Sequence, residues 1–294
     1  MPARPTWLEV SLNGPWTRQV QPGIPINRAE IIAQGIACVR AGAAIVHVHA
    51  YDEATGRQRD DATLYAAIIE GIRGEVDAIV YPTIPLTSPA DAARNGPRAR
   101  YAAIEELARR GLLEWAVVDP GSVNLARYDA IAGDREGFVY ANTEADIRAG
   151  LALAERHRFH PGYACYEPGF VRLGAALHRR YSKAPQPIYR LMFSDAFAFG
   201  FPPQPYALDA YRTLLAQEAP EAPWMVAGLG VDILPLVPAA VTAGGHVRVG
   251  LEDAPFGTRL RNIDWVEKAV TAITAAGGTL ATSAEVRATF VRTS

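Results

Sequence analysis

Ala44-Ile45-Val46-His47-Val48-His49-Ala50 is apolar at almost every position, with β-branched residues at its centre. It runs straight out of a helix-like stretch that begins at Asn27 and stops at Gly42. A near-continuous apolar strand of this kind suits a parallel sheet covered on both faces. Glu114-Trp115-Ala116-Val117-Val118 repeats the pattern. Working outward from these two, strand candidates fall at Leu8 to Leu12, Ala78 to Thr83, Gly162 to Tyr166, Ile188 to Phe193, Trp224 to Gly228 and His246 to Leu251. Each is followed by an amphipathic stretch: Asn27 to Ala41, Ala62 to Gly74, Arg98 to Arg110, Thr143 to His157, Phe170 to Arg180, Tyr206 to Gln217, Ile233 to Ala243 and Asn262 to Ala275. Eight strand–helix units in 294 residues point to an α/β chain folded as a closed (β/α)8 TIM barrel. A doubly wound open sheet more often stops at about five to seven strands. Ser283 to Val291 reads as an extra C-terminal helix with Ser283 as its N-cap. No linker or low-complexity tract divides the chain, so residues 1–294 are expected to form a single domain.

Composition narrows the partners. Lys and Arg number 29 against 31 Asp and Glu, with no basic block, which argues against nucleic acid or an anionic membrane as partner. Two distant cysteines, Cys38 and Cys165, supply neither a disulfide framework nor a thiolate metal cluster. There is no run of roughly 20 apolar residues, and Met1-Pro2-Ala3-Arg4-Pro5 lacks the apolar core of a secretory signal. A cytoplasmic location is the expectation.

In a barrel, chemistry sits where strands end. The polar residues there are Asn13, His47, His49, Thr83, Asp119, Ser122, Asn124, Glu167, Ser194, Asp195, Arg248, Glu252 and Asp253. His47 and His49 share one face of a strand and can bring two imidazoles to one metal ion, or they are interior histidines satisfied by hydrogen bonds. Glu167, Glu252 and Asp253 stand at the right level to add a carboxylate; His246 is at the wrong end of its strand. Two histidines and a carboxylate make a catalytic zinc site, although the same set suits non-haem iron. Glu252 and Asp253 are adjacent and should face different partners, with Arg248 able to hold one of them ionised. Gly228-Leu229-Gly230 either opens a phosphate-binding helix or makes a tight turn.

Taken together, the Asn13-Gly14 turn, AGAAIVHVHAYDEATGR (41–57), DPGSVN (119–124), HVRVGLEDAPFGTRLRNIDWVEKAV (246–270) and LATSAEVR (280–287) resemble the beta-keto acid cleavage enzymes. These are a zinc-dependent family that includes the 3-keto-5-aminohexanoate cleavage enzyme. The resemblance implies a barrel, a homotetramer, and zinc on His47, His49 and Glu252. It also implies Asp253 as base, Arg248 as the residue that positions it, and Thr83, Ser122 and Asn124 as substrate contacts. The implied reaction converts a beta-keto acid and acetyl-CoA into acetoacetate and a new acyl-CoA. Where the aminohexanoate enzyme has an acid after the N-G turn, this chain has Pro15-Trp16-Thr17, and a second family acid falls at Ala164. Trp16 and Ala164 therefore suggest a neutral keto acid rather than an amino-bearing one. Tyr51 replaces a usual arginine, and Pro85 part of a glycine-rich turn. The competing expectations are a metal-dependent hydrolase on a barrel, which recruits further histidines from the fifth and sixth strands, and a non-catalytic acyl-CoA or small-molecule binder.

Overall fold

All eight apolar runs form strands in the computed structural model, which describes residues 5–291. Residues 1–4, on which most of the secretory-signal reading rests, lie outside the described residues. The strands are β1 (Leu8–Ser11), β2 (Ile45–Val48), β3 (Ile79–Pro82), β4 (Trp115–Val117), β5 (His160–Cys165), β6 (Ile188–Phe193), β7 (Trp224–Gly228) and β8 (His246–Val249). All residues of β1, β2, β3, β6 and β8 are buried, as strands covered on both faces require. They form one parallel sheet in the order β3-β2-β1-β8-β7-β6-β5-β4. First and last strands pair directly, with Glu9 opposite Arg248, so the sheet curls into a (β/α)8 barrel.

Helices α1 (Arg28–Arg40) and α2 (Ala62–Arg73) match expectation, and the Asn27 side chain caps α1 by accepting from Glu30 N. The single helix expected at Arg98 to Arg110 is instead α3 (Pro89–Arg100), itself kinked at Gly96 (φ +65°) before Pro97, and α4 (Ala102–Arg109). α3 lies outside the expected stretch at its start: Pro89 in the first helical turn behind the Ser88 cap begins a helix. Next come α5 (Tyr128–Ala132), α6 (Glu144–His157), α7 (Pro168–Arg180) and α8 (Pro205–Glu218). The helix expected at Ile233 to Ala243 is a 3₁₀ turn, Leu234–Leu236, running into α9 (Val237–Thr242). After α10 (Asn262–Ala275), the terminal helix α11 spans Ser283–Ala288. Its cap is Thr282, not Ser283: Thr282 and Glu285 form a reciprocal capping box, while the Ser283 hydroxyl donates to Ala44 O and Asp77 O at 2.9 Å each. Two ribbons the sequence did not announce, 51–52 with 57–58 and 123–125 with 138–140, form beyond the ends of β2 and β4.

One seam differs from the rest. β3 and β4 lie side by side, but no ladder joins them among the described residues. Side chains take over there. Arg73, at the end of α2, donates to Ala78 O (3.3 Å) and Val80 O (3.3 Å) on one side and to Leu112 O (2.8 Å) on the other. It also pairs with Glu114 at 2.9 Å, and Arg287 of α11 joins Glu114 to Asp77. Five fixed donors suit a guanidinium to this bridging. Removing one partner of such a half-buried network leaves carbonyls unsatisfied, so Arg73→Met should cost about 2 kcal/mol in urea unfolding. Arg94→Met, in an exposed pair with Asp91, should stay within about 0.5 kcal/mol. Equal midpoints for the two variants would show that the seam does not depend on Arg73.

Candidate active site and metal centre

The alternation of β2 places His47 inside the barrel, and His49, one residue past the strand, follows on the same side with its ring centroid 5.1 Å away. Both histidines are buried. Glu252 reaches them from the turn after β8. That turn begins at Gly250, whose φ of +136° and contact with β1 exclude a side chain: a Cβ would lie 2.1 Å from Ser11 O. His47 Nε2 lies 3.5 Å from one Glu252 oxygen and His49 Nε2 3.3 Å from the other. One ligand atom from each of the three residues falls within 4.8 Å of the others.

The residues behind this triad fix it. Asn13 accepts from His49 N (3.0 Å) and donates to His49 O (3.0 Å) and Pro25 O (2.9 Å). Gln58 Oε1 sits 2.8 Å from His49 Nδ1, and Asp60 in turn holds the Gln58 amide. With Nδ1 engaged, Nε2 of His49 is turned toward Glu252, the arrangement that orients a metal-binding imidazole. Gly14, at φ +64°, lets the first loop press against Glu252, since a Cβ there would lie 2.6 Å from Glu252 Cγ.

The donor set fits a cation. His49 Nε2 and Glu252 Oε2 are buried without a hydrogen-bond partner. Burial holds His47 well below the usual imidazole range, so it is neutral and able to donate a lone pair. Burial would raise Glu252, but Arg248, followed by the two histidines, outweighs it and keeps the carboxyl well below the usual range. Around this point the barrel interior carries four buried carboxylates, Glu9, Asp119, Glu252 and Asp253, against two guanidinium groups, Arg190 and Arg248. Their formal charges leave −2, which one divalent ion would balance.

Arg248 divides itself between acids. Its Nε and Nη2 donate to the two oxygens of Asp253 at 2.7 and 2.9 Å, Nη2 also lies 3.1 Å from Glu252 Oε2, and Nη1 donates to Glu9 at 3.1 Å. The two adjacent acids thus face different partners, as the sequence suggested. Burial pushes Asp253 up to about 6 against the pull of Arg248. Asp253 stands behind Arg248, whereas Arg248 itself, with Glu252, His47 and His49, lines the cavity.

Of the other expected residues, Trp16, Thr83 and Ala164 also line that cavity. Trp16 donates to Glu252 O (2.8 Å) and packs edge-on against Phe256. Tyr51 secures the same loop, its hydroxyl donating to Gly14 O and Trp16 O. Asp119 is on the wall but is already occupied, accepting from Tyr140 OH and Ala164 N at 2.8 Å each. Ser122 and Asn124 are not brought to the cavity. Ser122 exchanges hydrogen bonds with the backbone of Asn142, and Asn124 is exposed on the 123–125 ribbon. Glu167 accepts from Gly200 N, and Ser194 donates to Leu229 O. No α-helix opens at Gly228-Leu229-Gly230, so the phosphate reading gives way to a turn. His246, at the opposite end of β8, stacks on Trp7 at 3.9 Å. Sequence reasoning passed over Glu9, Gln58, Tyr81, Tyr140 and Arg190; the available signal was a lone charge inside Leu8–Ser11 and inside Ile188–Phe193.

A family model described as beta-keto acid cleavage enzyme matches residues 5–291. The 3,5-dioxohexanoate:acetyl-CoA acetone transferase of Paraburkholderia graminis is 24% identical over 253 residues, covering 81% of this chain and 78% of that protein. The 3-keto-5-aminohexanoate cleavage enzyme of Fusobacterium nucleatum subsp. nucleatum is 28% identical over 241 residues, with the same two coverages of 81% and 78%. Among solved structures, ObcA in binary complex with oxaloacetate superposes with a TM-score of 0.71 at 18% identity, over 92% of this chain and 67% of that one, and so shares the fold. Joined to a match that runs the length of the described residues, the paired histidines of β2 and the Arg248-to-Asp253 segment place this chain in the beta-keto acid cleavage enzyme family.

Proposed function

We propose that this chain is a zinc-dependent acyltransferase that exchanges a beta-keto acid and acetyl-CoA for acetoacetate and a new acyl-CoA, acting on a keto acid with a neutral side chain. The observation that carries the reading is the buried His47, His49 and Glu252 cluster with Arg248 and Asp253 against it. When bound, zinc supplies Lewis acidity toward the oxygens of the keto acid. His47, His49 and Glu252 hold it, and Asn13 and Gln58 keep His49 turned the right way. By family resemblance Asp253, oriented by Arg248, is the base; it stands behind the guanidinium, so the α proton of the keto acid reaches it past Arg248. The carbanion attacks the acetyl carbonyl with departure of the CoA thiolate, the thiolate then takes up the acid's β-acyl group as the bond between the α and β carbons breaks, and the proton returns to the α carbon. Thr83, on the wall, offers a hydroxyl to the substrate carboxylate. By family resemblance Ser122 and Asn124 are assigned to the substrate as well, although neither lines the cavity.

Three features support a substrate without an amine. The loop after Asn13 has no carboxylate, Asp119 spends both oxygens on Tyr140 and Ala164, and Arg190 places a positive charge on the wall. Trp16, Leu86 and Ala164 offer apolar surface in their place. Exposed Tyr128 and Ile131 support assembly into a homo-oligomer, a tetramer by family resemblance. None of the helices among the described residues is long and apolar enough to cross a membrane, and we place the enzyme in the cytoplasm.

A coupled assay for acetoacetate and acyl-CoA over a panel of beta-keto acids tests this directly. Product should appear with neutral acids, and turnover of a 5-amino acid alone would overturn the neutral-substrate reading. Chelation should abolish activity and added zinc restore it. Asp253→Asn should lower kcat by roughly 10²-fold or more, and Glu252→Ala should remove both metal and activity; full activity in either variant would reassign the site. Gln58→Leu should weaken zinc binding by about 10- to 100-fold, read by competition with a chromogenic chelator.

A further inference from the structure

A carboxylate has no reason to sit in the wall of a barrel unless something there needs its charge. Glu9 is the second residue of β1, is fully buried, and stands opposite Arg248 on the paired strand. Its Oε1 accepts from Arg248 Nη1 (3.1 Å) and Tyr81 OH (2.6 Å), with Arg190 Nη1 at 3.8 Å. Arg190 in turn donates to the Tyr81 hydroxyl and lies with its guanidinium 5.6 Å from the Tyr81 ring centre. Gly162, on the neighbouring strand, leaves room for that guanidinium, since a Cβ would lie 3.0 Å from Arg190 Nη2. Glu9, Tyr81 and Arg190 therefore form a connected polar floor beneath the cavity.

We propose that Glu9, steadied by Tyr81 and Arg190, is a positioning residue that acts through Arg248; the inference rests on the function proposed above. A guanidinium has one Nε edge and two Nη corners. Glu9 holds the Nη1 corner, which leaves Nε and Nη2 for Asp253 and the remaining face of Nη2 for Glu252. Without Glu9, Nη1 loses its acceptor, and the group is free to turn and offer two donors to Glu252, in competition with a cation on that carboxylate. The expected consequence is a loss in metal affinity and in kcat with little change in KM for the keto acid, because Glu9 itself is covered by Arg248 and touches no substrate.

The test is a double-mutant cycle of Glu9→Gln and Arg248→Lys, with each protein checked for native circular dichroism. Two quantities are read: kcat and KM in the coupled assay, and the dissociation constant for Co²⁺ added to metal-free protein, followed by its visible absorption. In the wild-type background Glu9→Gln should lower kcat and Co²⁺ affinity by about 10- to 100-fold. In the Arg248→Lys background it should add less than about threefold to either. Equal losses in both backgrounds would overturn the proposal, as would a change confined to KM. Should Glu9→Gln fail to fold, Tyr81→Phe replaces it in the same cycle, with a smaller loss of the same non-additive form expected. If the wild-type protein makes no acetoacetate, the function proposed above fails, and the Co²⁺ cycle still decides the role of Glu9.

Discussion

Arg248 spreads one delocalised charge over three buried carboxylates, and the arrangement of the site follows from how that charge is shared. Burial by itself would drive Glu252 and Asp253 toward their protonated forms. Facing a common guanidinium, they still separate: Glu252 is held ionised by Arg248 beside the histidines, while burial pushes Asp253 up toward neutral pH against the same guanidinium. Two adjacent residues acquire different chemistry because burial outweighs the pull of Arg248 at Asp253, whereas Arg248 and the histidines outweigh burial at Glu252. This is the division of labour that a metal ligand and a proton acceptor require.

The barrel supplies what a flat sheet would not. Pairing of β1 with β8 sets Glu9 beside Arg248, and pairing of β1 with β2 sets Ser11 beside His47. The first strand thus joins the residues of the last to those of the second. Gly250 and Gly14 then allow the loops after β8 and β1 to approach closely enough for Glu252 to complete the triad. The seam one strand beyond β2, where β3 and β4 share no ladder, is bridged by Arg73. The strands that carry Glu9, His47 and Arg248 are each laddered on both sides, which suits a constellation that must be held rigidly.

Much of this was legible in the sequence. Strand runs such as Ala44 to Ala50 are unmistakable because both faces of a barrel strand are buried and periodicity is replaced by continuous apolarity. His47 and His49 announced themselves as polar residues in such a run, and Arg248, Glu252 and Asp253 as charges at the end of another. The start of α3 was not legible, because prolines at 89 and 97 hide a helical pattern, although Pro89 fits a first helical turn. Ser122 and Asn124 lie in a segment that marks the family, yet Ser122 bonds the Asn142 backbone and Asn124 is exposed on the ribbon, so neither lines the cavity.

The sequence by itself determined the eight-unit alternation, the pair of imidazoles on one strand face, and the acids that could meet them. Those properties depend on periodicity and on residues a few positions apart. Only the tertiary structure decided that Glu9 belongs with Arg248, 239 positions away, that Arg190 and Tyr81 belong with Glu9, and that Gln58 orients His49. A glutamate in Leu8-Glu9-Val10-Ser11 looks, in one dimension, like the solvent-facing residue of an alternating strand. Closing β1 against β8 turns that face inward, and a buried carboxylate must then find its counter-charge across the barrel.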